Sequence, residues 1–165
     1  MEYKDSTGKI WIPNQNDTIQ WRMTAYAAIV QDGKILLVKS DHATFFALPG
    51  GGVEKAESIT EGLKRECKEE IGYEIEVIKE IGKVVEYREQ MKTIYESYCY
   101  LVKTSGDRND PCYDEHEKKR GLEDRWVKDI DTAIKLVENF KIEDYNGRFI
   151  ATRDAFILHA AKEVM

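Results

Sequence analysis

Three glutamates at helical spacing provide the chemistry around which this sequence is organised. Glu66 and Glu70 lie four residues apart, and Glu69 directly precedes Glu70. In a helix, at about 100° per residue, these carboxylates fall beside the apolar stripe rather than opposite it. Like charges at this spacing repel each other, and partial burial increases the cost unless a cation neutralises them. Because Mg²⁺ and Mn²⁺ prefer oxygen ligands, we predict that Glu66, Glu69 and Glu70 bind a divalent metal ion.

The helix that carries these glutamates is predicted over residues 58–71. Ser58 and Glu61 match a capping box at its start, and Gly72 suits the left-handed position beyond its end. An acidic helix is more often a solvated face, but in this helix other charged residues occupy the solvated side. The predicted buried stripe is Ile59, Leu63, Cys67 and Ile71, and the predicted solvated side is Glu61, Lys64 and Lys68.

A run of three glycines, Gly50, Gly51 and Gly52, comes shortly before this helix. Glycine has no Cβ, so its backbone amides and carbonyls can approach a ligand closely. On its own, such a run is equally consistent with a tight turn. Because it lies close to the glutamates in sequence, we predict that Gly50 and Gly51 contact a diphosphate group of a substrate.

The spacing of these residues resembles the Nudix box. That pattern is Gly, five residues, Glu, seven residues and then Arg-Glu-aliphatic-x-Glu-Glu-x-Gly-aliphatic, and residues 51–73 match its glycine and charged positions. Cys67 and Tyr73 stand where the pattern has aliphatic residues, and both are apolar enough to pack in a core. The matching residues are Gly51, Glu57, Arg65, Glu66, Glu69, Glu70 and Gly72.

The resemblance implies a fold, a reaction and a set of roles. The fold would be an α/β/α sandwich around a mixed β-sheet, and the reaction would be hydrolysis of a nucleoside diphosphate linked to another moiety, X. Arg65 would orient the carboxylates through Glu57, and Glu69 would take part in catalysis. The implied ligands of Mg²⁺ or Mn²⁺ are the carbonyl of Gly51 and the carboxylates of Glu66, Glu69 and Glu70.

The first functional hypothesis is therefore a Mg²⁺-dependent Nudix pyrophosphohydrolase of small nucleotides, with a (deoxy)nucleoside triphosphate as the preferred candidate substrate. The alternative is a Nudix-like domain that binds or senses a nucleotide without turnover. Such domains usually lose carboxylates of the box, whereas this sequence keeps them all. A third reading, an acidic helix that meets a basic protein partner, leaves the glycine run unexplained.

The catalytic base, or an extra metal ligand, is expected outside the box. In many Nudix enzymes this residue is a glutamate on a loop ahead of a late strand, and the candidates are Glu115, Glu117 and Glu123. Glu123 lies in a piece that resembles a common late-strand signature, and Glu117 lies in a loop long enough to reach the site. Glu96 is a further candidate, because a glutamate inside a strand indicates a face that is wetter than a core.

Substrate-binding candidates flank the first predicted hairpin and the later strands. Arg22 and Lys39 are candidates for meeting the substrate phosphates, although exposed charges at strand ends are equally common. Four aromatic residues are candidates for stacking a base, although each is more often a core residue. They are Phe45, Phe46, Tyr98 and Trp126, of which Phe46 and Tyr98 are the preferred pair.

The other elements frame this site. Apolar, β-rich runs at residues 23–30 and 34–39 are joined by Asp32-Gly33, a hairpin signal. Further strands are predicted at residues 45–48, 73–77, 81–87, 93–102 and 125–127, a long polar loop at 104–121, and helices at 129–139 and 147–164. The apolar stripe of the last helix is Phe149, Ile150, Ala155, Phe156, Ile157 and Ala160. This order favours a mixed sheet between helices, an α/β fold.

Length and composition limit the remaining possibilities. The 165 residues, 42% hydrophobic and 34% charged, fit one globular domain. We predict an N-terminal lead-in at residues 1–17 and a Nudix hydrolase domain at residues 18–165. A net charge of −6 argues against duplex nucleic acid as a partner.

Targeting signals and cysteines indicate a location. No apolar run approaches the roughly 20 residues of a membrane span, and no secretion signal is visible at the start. The three cysteines are widely spaced and show no zinc or disulfide pattern. We therefore expect reduced thiols, a cytoplasmic protein and no membrane association. The resemblance leaves the oligomeric state open, with a homodimer as one expectation.

Overall fold

The computed structural model describes residues 3–4, 10–11, 18–40, 46–113, 121–139 and 144–165. The strands are β1 (Tyr3–Lys4), β2 (Ile10–Trp11), β3 (Gln20–Gln31), β4 (Lys34–Ser40), β5 (Phe46–Ala47), β6 (Gly50–Gly52), β7 (Glu74–Arg88), β8 (Thr93–Ser105) and β9 (Leu122–Val127). The helices are α1 (Ile59–Ile71), α2 (Ile130–Glu138) and α3 (Tyr145–Val164), with a short 3₁₀ helix at Glu89–Met91. None of the helices in this described part of the chain is long and apolar enough to cross a membrane.

One mixed sheet forms the middle layer. Within the described ranges it has seven strands, with the order β5-β4-β3-β8-β7, while β6 pairs with β3 and β9 pairs with β4. β3 and β8 are parallel, and the other pairs in this sheet are antiparallel. β1 and β2 form a separate antiparallel pair. The prediction of a mixed sheet is confirmed.

Alternation along β3 assigns the two faces of the sheet. Successive side chains on a strand point to opposite faces. Ala25, Ala27 and Ile29 pack in one core cluster, which includes Leu63, Cys67 and Ile71 of α1. Ala28 lies in the other cluster, together with residues of α2 and α3 such as Ile134 and Ile157. Helices therefore cover both faces, and the predicted α/β/α sandwich is confirmed.

The hairpin between β3 and β4 follows the predicted turn. Asp32 has φ 49° and Gly33 has φ 76°. Positive φ at both central residues is the requirement of a type I′ turn, which suits the twist of the flanking strands. The strands pair antiparallel on either side of it, with Gln31 opposite Lys34.

The region after α1 differs from the prediction of two strands. Residues 74–88 form one strand, β7, which pairs with β8 along its length. The register shifts between Val77 and Lys79 and again between Glu80 and Gly82. Two bulges therefore interrupt the alternation of apolar residues within this one strand. The interruption at residues 78–80 was interpreted as a gap between two strands.

The C-terminal helix also differs in its buried face. It starts at Tyr145, two residues before the predicted start, with Asp144 as its N-cap. Phe156 was expected in the apolar stripe, but it is 61% exposed. Arg153 and Asp154 occupy the buried face instead. The predicted stripe is wrong at Phe156. The prediction placed only apolar residues on the buried face, whereas Arg153 and Asp154 are buried there as an ion pair.

Candidate active site

Both ends of α1 are fixed by the residues that the sequence indicated. Ser58 is the N-cap: its Oγ accepts a hydrogen bond from Glu61 N–H at 3.3 Å, and the Glu61 carboxylate accepts one from Ser58 N–H at 2.8 Å. Gly72 follows the helix with φ 72°. A side chain there would also collide, because a Cβ would lie 2.0 Å from the carbonyl oxygen of Asn109. The helix therefore has a fixed length and phase.

That phase places the glutamates at the border of the core. Cys67 lies at 0% exposure on the buried stripe. The side chains of Glu66 and Glu69 are 14% and 38% exposed. Burial raises the pKa of the Cys67 thiol, and the negative charges of Glu70 and Glu66 raise it further. Cys67 is thus a neutral packing residue in the field of the nearby carboxylates.

Arg65 is the centre of the carboxylate cluster. Its Nη1 donates to Glu66 Oε1 at 2.9 Å and to Glu69 Oε2 at 3.0 Å. On its other side, Nε and Nη2 donate to the two oxygens of Glu57 at 2.7 and 3.0 Å. Nη2 also donates to the carbonyl oxygen of Gly52 at 2.8 Å. One planar guanidinium thereby joins the helix, the preceding loop and the glycine strand.

Glu57 anchors this arrangement from the loop before the helix. Its Oε2 accepts a hydrogen bond from Glu54 N–H at 3.0 Å. The hydrogen bonds from Arg65 hold the pKa of Glu57 below its ordinary value of 4.5. In turn, the hydrogen bonds to Glu57 raise the pKa of Arg65. Partial burial opposes this effect, and the contacts with Glu66 and Glu69 add to it, so the net shift of the pKa is upward. Arg65 thus stays charged. It contacts Glu66 and Glu69 directly, whereas Glu57 binds the other side of its guanidinium.

The glycine run forms a strand, β6, beside the helix. Gly50 lies opposite Tyr26 of β3, and Gly51 lies opposite Ala25. Gly50 N–H donates to Glu70 Oε2 at 2.8 Å. Gly50 has φ 135°, and a Cβ there would lie 2.1 Å from the carbonyl oxygen of Ala25. Only glycine fits this position, because both the backbone conformation and the close approach exclude a side chain.

Gly51 leaves space for the carboxylate of Glu66. A Cβ at Gly51 would lie 2.5 Å from Glu66 Oε2 and 2.9 Å from Oε1. At Gly52, by contrast, a Cβ would have no heavy atom within 4 Å. The two adjacent glycines therefore have different requirements, and it is Gly51 whose missing side chain brings backbone and carboxylate together.

The chemistry of these donors fits a hard divalent cation. Glu66, Glu69 and Glu70 offer carboxylate oxygens, and Gly51 lies directly beside one of them. One guanidinium, that of Arg65, faces three carboxylates, so negative charge is in excess around it. Among the described residues, no three Asp, Glu, Cys or His side chains are grouped to hold a metal ion. In this structure, Glu66 and Glu69 accept hydrogen bonds from Arg65, and Glu70 accepts one from Gly50 N–H. A bound cation would draw these carboxylates together.

The loop after β8 closes the other end of α1. Asn109 N–H donates to the Gly72 carbonyl at 2.9 Å, and Cys112 N–H donates to the Glu69 carbonyl at 3.0 Å. Arg108 Nε donates to the Ile71 carbonyl at 3.2 Å, and the same guanidinium pairs with Asp124 of β9. Three carbonyls at the helix end are thus satisfied by one loop. Residues 104–121 were predicted as a loop, and this contact could not be read from their sequence.

The candidates for the base occupy different surroundings. Glu123 is exposed on β9 and lies opposite Lys39 of β4. Glu96 is half-buried on β8, and its Oε1 lies 3.3 Å from Lys83 Nζ. Glu115 and Glu117 lie outside the described residues. The assignment of the base to Glu117 or Glu123 therefore stays a prediction.

The substrate-binding candidates divide into exposed and buried side chains. Arg22 is exposed on β3, with its guanidinium 5.9 Å from the ring centroid of Tyr95. Tyr98 is partly buried beside the α1 cluster, and Lys83 Nζ lies 5.5 Å from its ring centroid. Phe46 is 5% exposed and packs in the core on the α3 side. Its ring is not open to stack on a base, which corrects the expectation for this residue.

The last two aromatic candidates and Lys39 complete this set. Trp126 packs against the α1 cluster, with its ring in an edge-on contact with Tyr73 at 6.4 Å between centroids. Lys39 lies on β4 opposite Phe46 and Glu123 in the two adjacent strands. Phe45 is outside the described residues. Among the described candidates, Arg22 is exposed and Lys39, Tyr98 and Trp126 are partly buried, so burial excludes none of these four.

Comparison with known proteins places the chain in a family. The family model described as NUDIX domain matches residues 21–146. Because this match covers well over half of the sequence, the chain belongs to the Nudix family. The resemblance drawn from residues 51–73 is thereby confirmed.

Curated relatives match over the central part of the chain. An ADP-ribose pyrophosphatase of Methanocaldococcus jannaschii is 40% identical over 70 residues, which cover 37% of this chain and 41% of the relative. An RNA pyrophosphohydrolase of Campylobacter jejuni is 39% identical over 69 residues, which cover 41% of this chain and 44% of the relative. The chain therefore spans less than half of the length of these relatives.

Solved structures show the same fold over most of the chain. A UDP-X diphosphatase superposes with a TM-score of 0.61 at 21% identity, covering 90% of this chain and 66% of that one. A MutT Nudix hydrolase from Burkholderia pseudomallei superposes with a TM-score of 0.57 at 25% identity, covering 82% of this chain and 98% of that one. The α/β/α architecture of this chain is thus the Nudix fold.

Proposed function

We propose that this protein hydrolyses a nucleoside diphosphate linked to another moiety X, using Mg²⁺ or Mn²⁺. The observation that carries the proposal is the cluster around Arg65, where Glu57, Glu66 and Glu69 converge beside the glycine strand. A structural helix would not need three carboxylates on one guanidinium at the border of the core. A site for a cation and a diphosphate does need them.

Each residue of the cluster has a role in this proposal. Glu66, Glu69 and Glu70 would hold the cation, with the carbonyl of Gly51 as a further oxygen donor. When bound, the cation supplies positive charge against the diphosphate and activates water for attack on phosphorus. Arg65 keeps two of the glutamates in fixed positions, and Glu57 holds Arg65. A glutamate outside the box, Glu123 or Glu117, would accept the proton of the attacking water.

The proposed contacts of the substrate combine the glycine strand with candidates that the sequence indicated. The diphosphate would lie over Gly50 and Gly51, where side chains are absent. Arg22 and Lys39 would meet its outer oxygens, and Tyr98 would contact the base or the moiety X.

The choice of X is informed by relatives that act on different molecules. The two curated relatives are named for ADP-ribose and for RNA, and one structural neighbour is named for UDP-X. These names share a phosphoanhydride next to a nucleoside. We propose the same chemical group as the target here, in a small nucleotide such as a (deoxy)nucleoside triphosphate. We also propose residues 18–165 as the catalytic domain, acting in the cytoplasm, with a homodimer as the expected assembly.

A hydrolysis screen tests this proposal. The full chain is incubated with nucleoside triphosphates, sugar nucleotides, ADP-ribose, dinucleotides and 5′-triphosphorylated RNA, each with Mg²⁺ and with Mn²⁺. Products are separated by chromatography, and each reaction is repeated with a chelator in excess. We expect at least one compound to be cleaved at a phosphoanhydride, with complete loss of cleavage under chelation.

Two other results would contradict the proposal. Cleavage that persists under chelation would point to a reaction without a divalent metal ion. Binding of a nucleotide without any turnover across the panel would favour the sensor domain that the sequence left as the alternative.

A further inference from the structure

A buried ion pair on α3 contacts the chain just before the glycine strand. Arg153 and Asp154 are 3% and 0% exposed, and Arg153 Nη2 lies 2.7 Å from Asp154 Oδ1. The other oxygen of Asp154, Oδ2, accepts a buried hydrogen bond from Leu48 N–H at 2.8 Å. Leu48 stands two residues before Gly50, so this bond fixes the backbone that leads into β6.

The same pair also holds the residue that lies behind Gly50. The guanidinium of Arg153 covers the ring of Tyr26, with Cζ 3.4 Å from the ring centroid. Tyr26 is opposite Gly50 in the strand pairing, and a Cβ at Gly50 would lie 3.0 Å from Tyr26 Cδ1. The glycine strand is therefore bounded by Glu70 on one side and by the Arg153–Tyr26 stack on the other.

Stability alone does not account for a charged pair in this position. Replacing a buried ion pair by apolar residues of similar volume is often neutral or stabilising, because desolvation of the two charges is costly. A second ion pair, Glu86 and Arg88, is also buried in the protein, with Arg88 Nη2 3.3 Å from Glu86 Oε2, so opposite charges are equal in number in these two pairs. An apolar pair could not accept the hydrogen bond that Leu48 N–H donates to Asp154.

We propose that Arg153 and Asp154 are positioning residues for the glycine strand. Asp154 holds Leu48, and Arg153 holds Tyr26. Together they set the position of Gly50 and Gly51 against the carboxylates of α1. One contact that depends on this position is the hydrogen bond from Gly50 N–H to Glu70, which lies 20 residues further along the chain. The consequence for metal binding and catalysis rests on the proposed function, whereas the consequence for the strand itself does not.

Three variants test this inference. The double variant Arg153→Met/Asp154→Leu removes both charges while keeping similar volume. The single variant Asp154→Asn replaces one carboxylate oxygen by an NH₂ group, so that either Leu48 N–H or Arg153 then faces a donor instead of an acceptor. The matched control is Lys162→Met/Asp131→Leu, which removes an exposed ion pair that joins the same helix to α2, with Nζ 2.6 Å from Oδ1.

Hydrogen exchange and metal affinity are the two measurements. Amide exchange at Leu48 and Gly50 is followed by NMR without metal, and Mn²⁺ binding is followed by calorimetry. We expect faster exchange at both amides and about tenfold weaker Mn²⁺ binding in the double variant, the usual effect of losing an outer group that orients ligands. Asp154→Asn should show smaller changes in the same direction, and the control should match the wild type in both measurements.

One pattern of results would overturn the inference. If the double variant folds and keeps wild-type exchange at Leu48 and Gly50, the ion pair is only a packing feature. If the double variant does not fold, Asp154→Asn decides, and wild-type exchange together with wild-type Mn²⁺ affinity in that variant refutes the proposal. A wild-type protein that binds no Mn²⁺ would count against the proposed function alone, because the exchange measurement would still test the strand.

Discussion

The Cα of Gly51 lies against the carboxylate of Glu66, at a position where any Cβ would come within 2.5 Å of Oε2. This relationship joins the glycine strand to the carboxylate-bearing face of α1, because a side chain at residue 51 would force the Glu66 carboxylate to shift. It also explains why the glycine and the glutamate are needed together. The site depends on the spacing between the two elements as much as on the carboxylates themselves.

A methyl group at residue 51 should therefore disturb the site without disturbing the fold. In Gly51→Ala, the Glu66 carboxylate must move away from its place beside Arg65, so we expect Mn²⁺ affinity and kcat to fall by about 10- to 100-fold. Calorimetry and steady-state kinetics measure these effects. Gly52→Ala is the matched control, since its Cβ would meet nothing within 4 Å. Equal behaviour of the two variants would contradict this account.

Replacing Arg65 by lysine should show that its shape matters as well as its charge. The guanidinium serves three carboxylates and one carbonyl, and a lysine ammonium cannot span these acceptors. We expect Arg65→Lys to lower kcat by about 10- to 100-fold, as for other groups that orient metal ligands. Arg125→Lys on β9 is the control and should keep wild-type kinetics. A fully active Arg65→Lys variant would show that charge alone is sufficient.

The pair between Glu57 and Arg65 should make stability depend on pH in a defined direction. Hydrogen bonds from Arg65, and then from Glu54 N–H, hold the folded-state pKa of Glu57 below 4.5. A lowered folded-state pKa contributes stability above the unfolded pKa, and this contribution is lost as the pH falls through the folded value. Glu57→Gln should thus be less stable than the wild type at pH 7, with the difference shrinking at acidic pH. Urea unfolding at several pH values measures this, and a constant difference would contradict it.

The N-cap of α1 should contribute to stability separately from catalysis. Ser58→Ala removes the acceptor for Glu61 N–H and should lower the free energy of unfolding by about 1 kcal/mol. Urea unfolding measures the loss, and Lys64→Ala, an exposed position in the middle of the helix, is the control. Below the unfolding transition, Ser58→Ala should keep its kcat. A large loss of kcat without loss of stability would instead place Ser58 in the site.

Local sequence signals predicted much of the site. The helix start at Ser58, its end at Gly72 and the border position of the glutamates follow from capping and helical phase, which act within a few residues. The hairpin at Asp32-Gly33 is of the same kind, since its backbone requirements belong to the turn residues themselves. Membership of the Nudix family was likewise predicted from a local pattern, the spacing of residues 51–73.

Features that depend on partners distant in sequence were missed. The two bulges in β7 are set by pairing with β8, so residues 78–80 imitated a break between strands. The predicted apolar stripe of α3 omitted Arg153 and Asp154, although Arg153 lies in the i, i+4 row of Phe149 and Ile157 and Asp154 lies in that of Ile150 and Leu158. The sequence does contain one indication of their burial: Arg153 and Asp154 are adjacent, opposite charges on the apolar side of the helix. Its partners, Leu48 and Tyr26, are more than 100 residues away in the sequence.

The central claim is that the carboxylates of α1 support hydrolysis of a phosphoanhydride, and one measurement tests it most directly. The substrate found in the panel is cleaved in H₂¹⁸O with Mg²⁺ by the wild type and by Glu69→Gln, Glu70→Gln and Glu74→Gln, the last being an exposed control beyond the helix. We predict one ¹⁸O atom in a phosphate product of the wild type, a loss of rate of more than about 100-fold in the first two variants, and a wild-type rate in the control. A folded Glu69→Gln or Glu70→Gln variant that kept the wild-type rate would contradict the account.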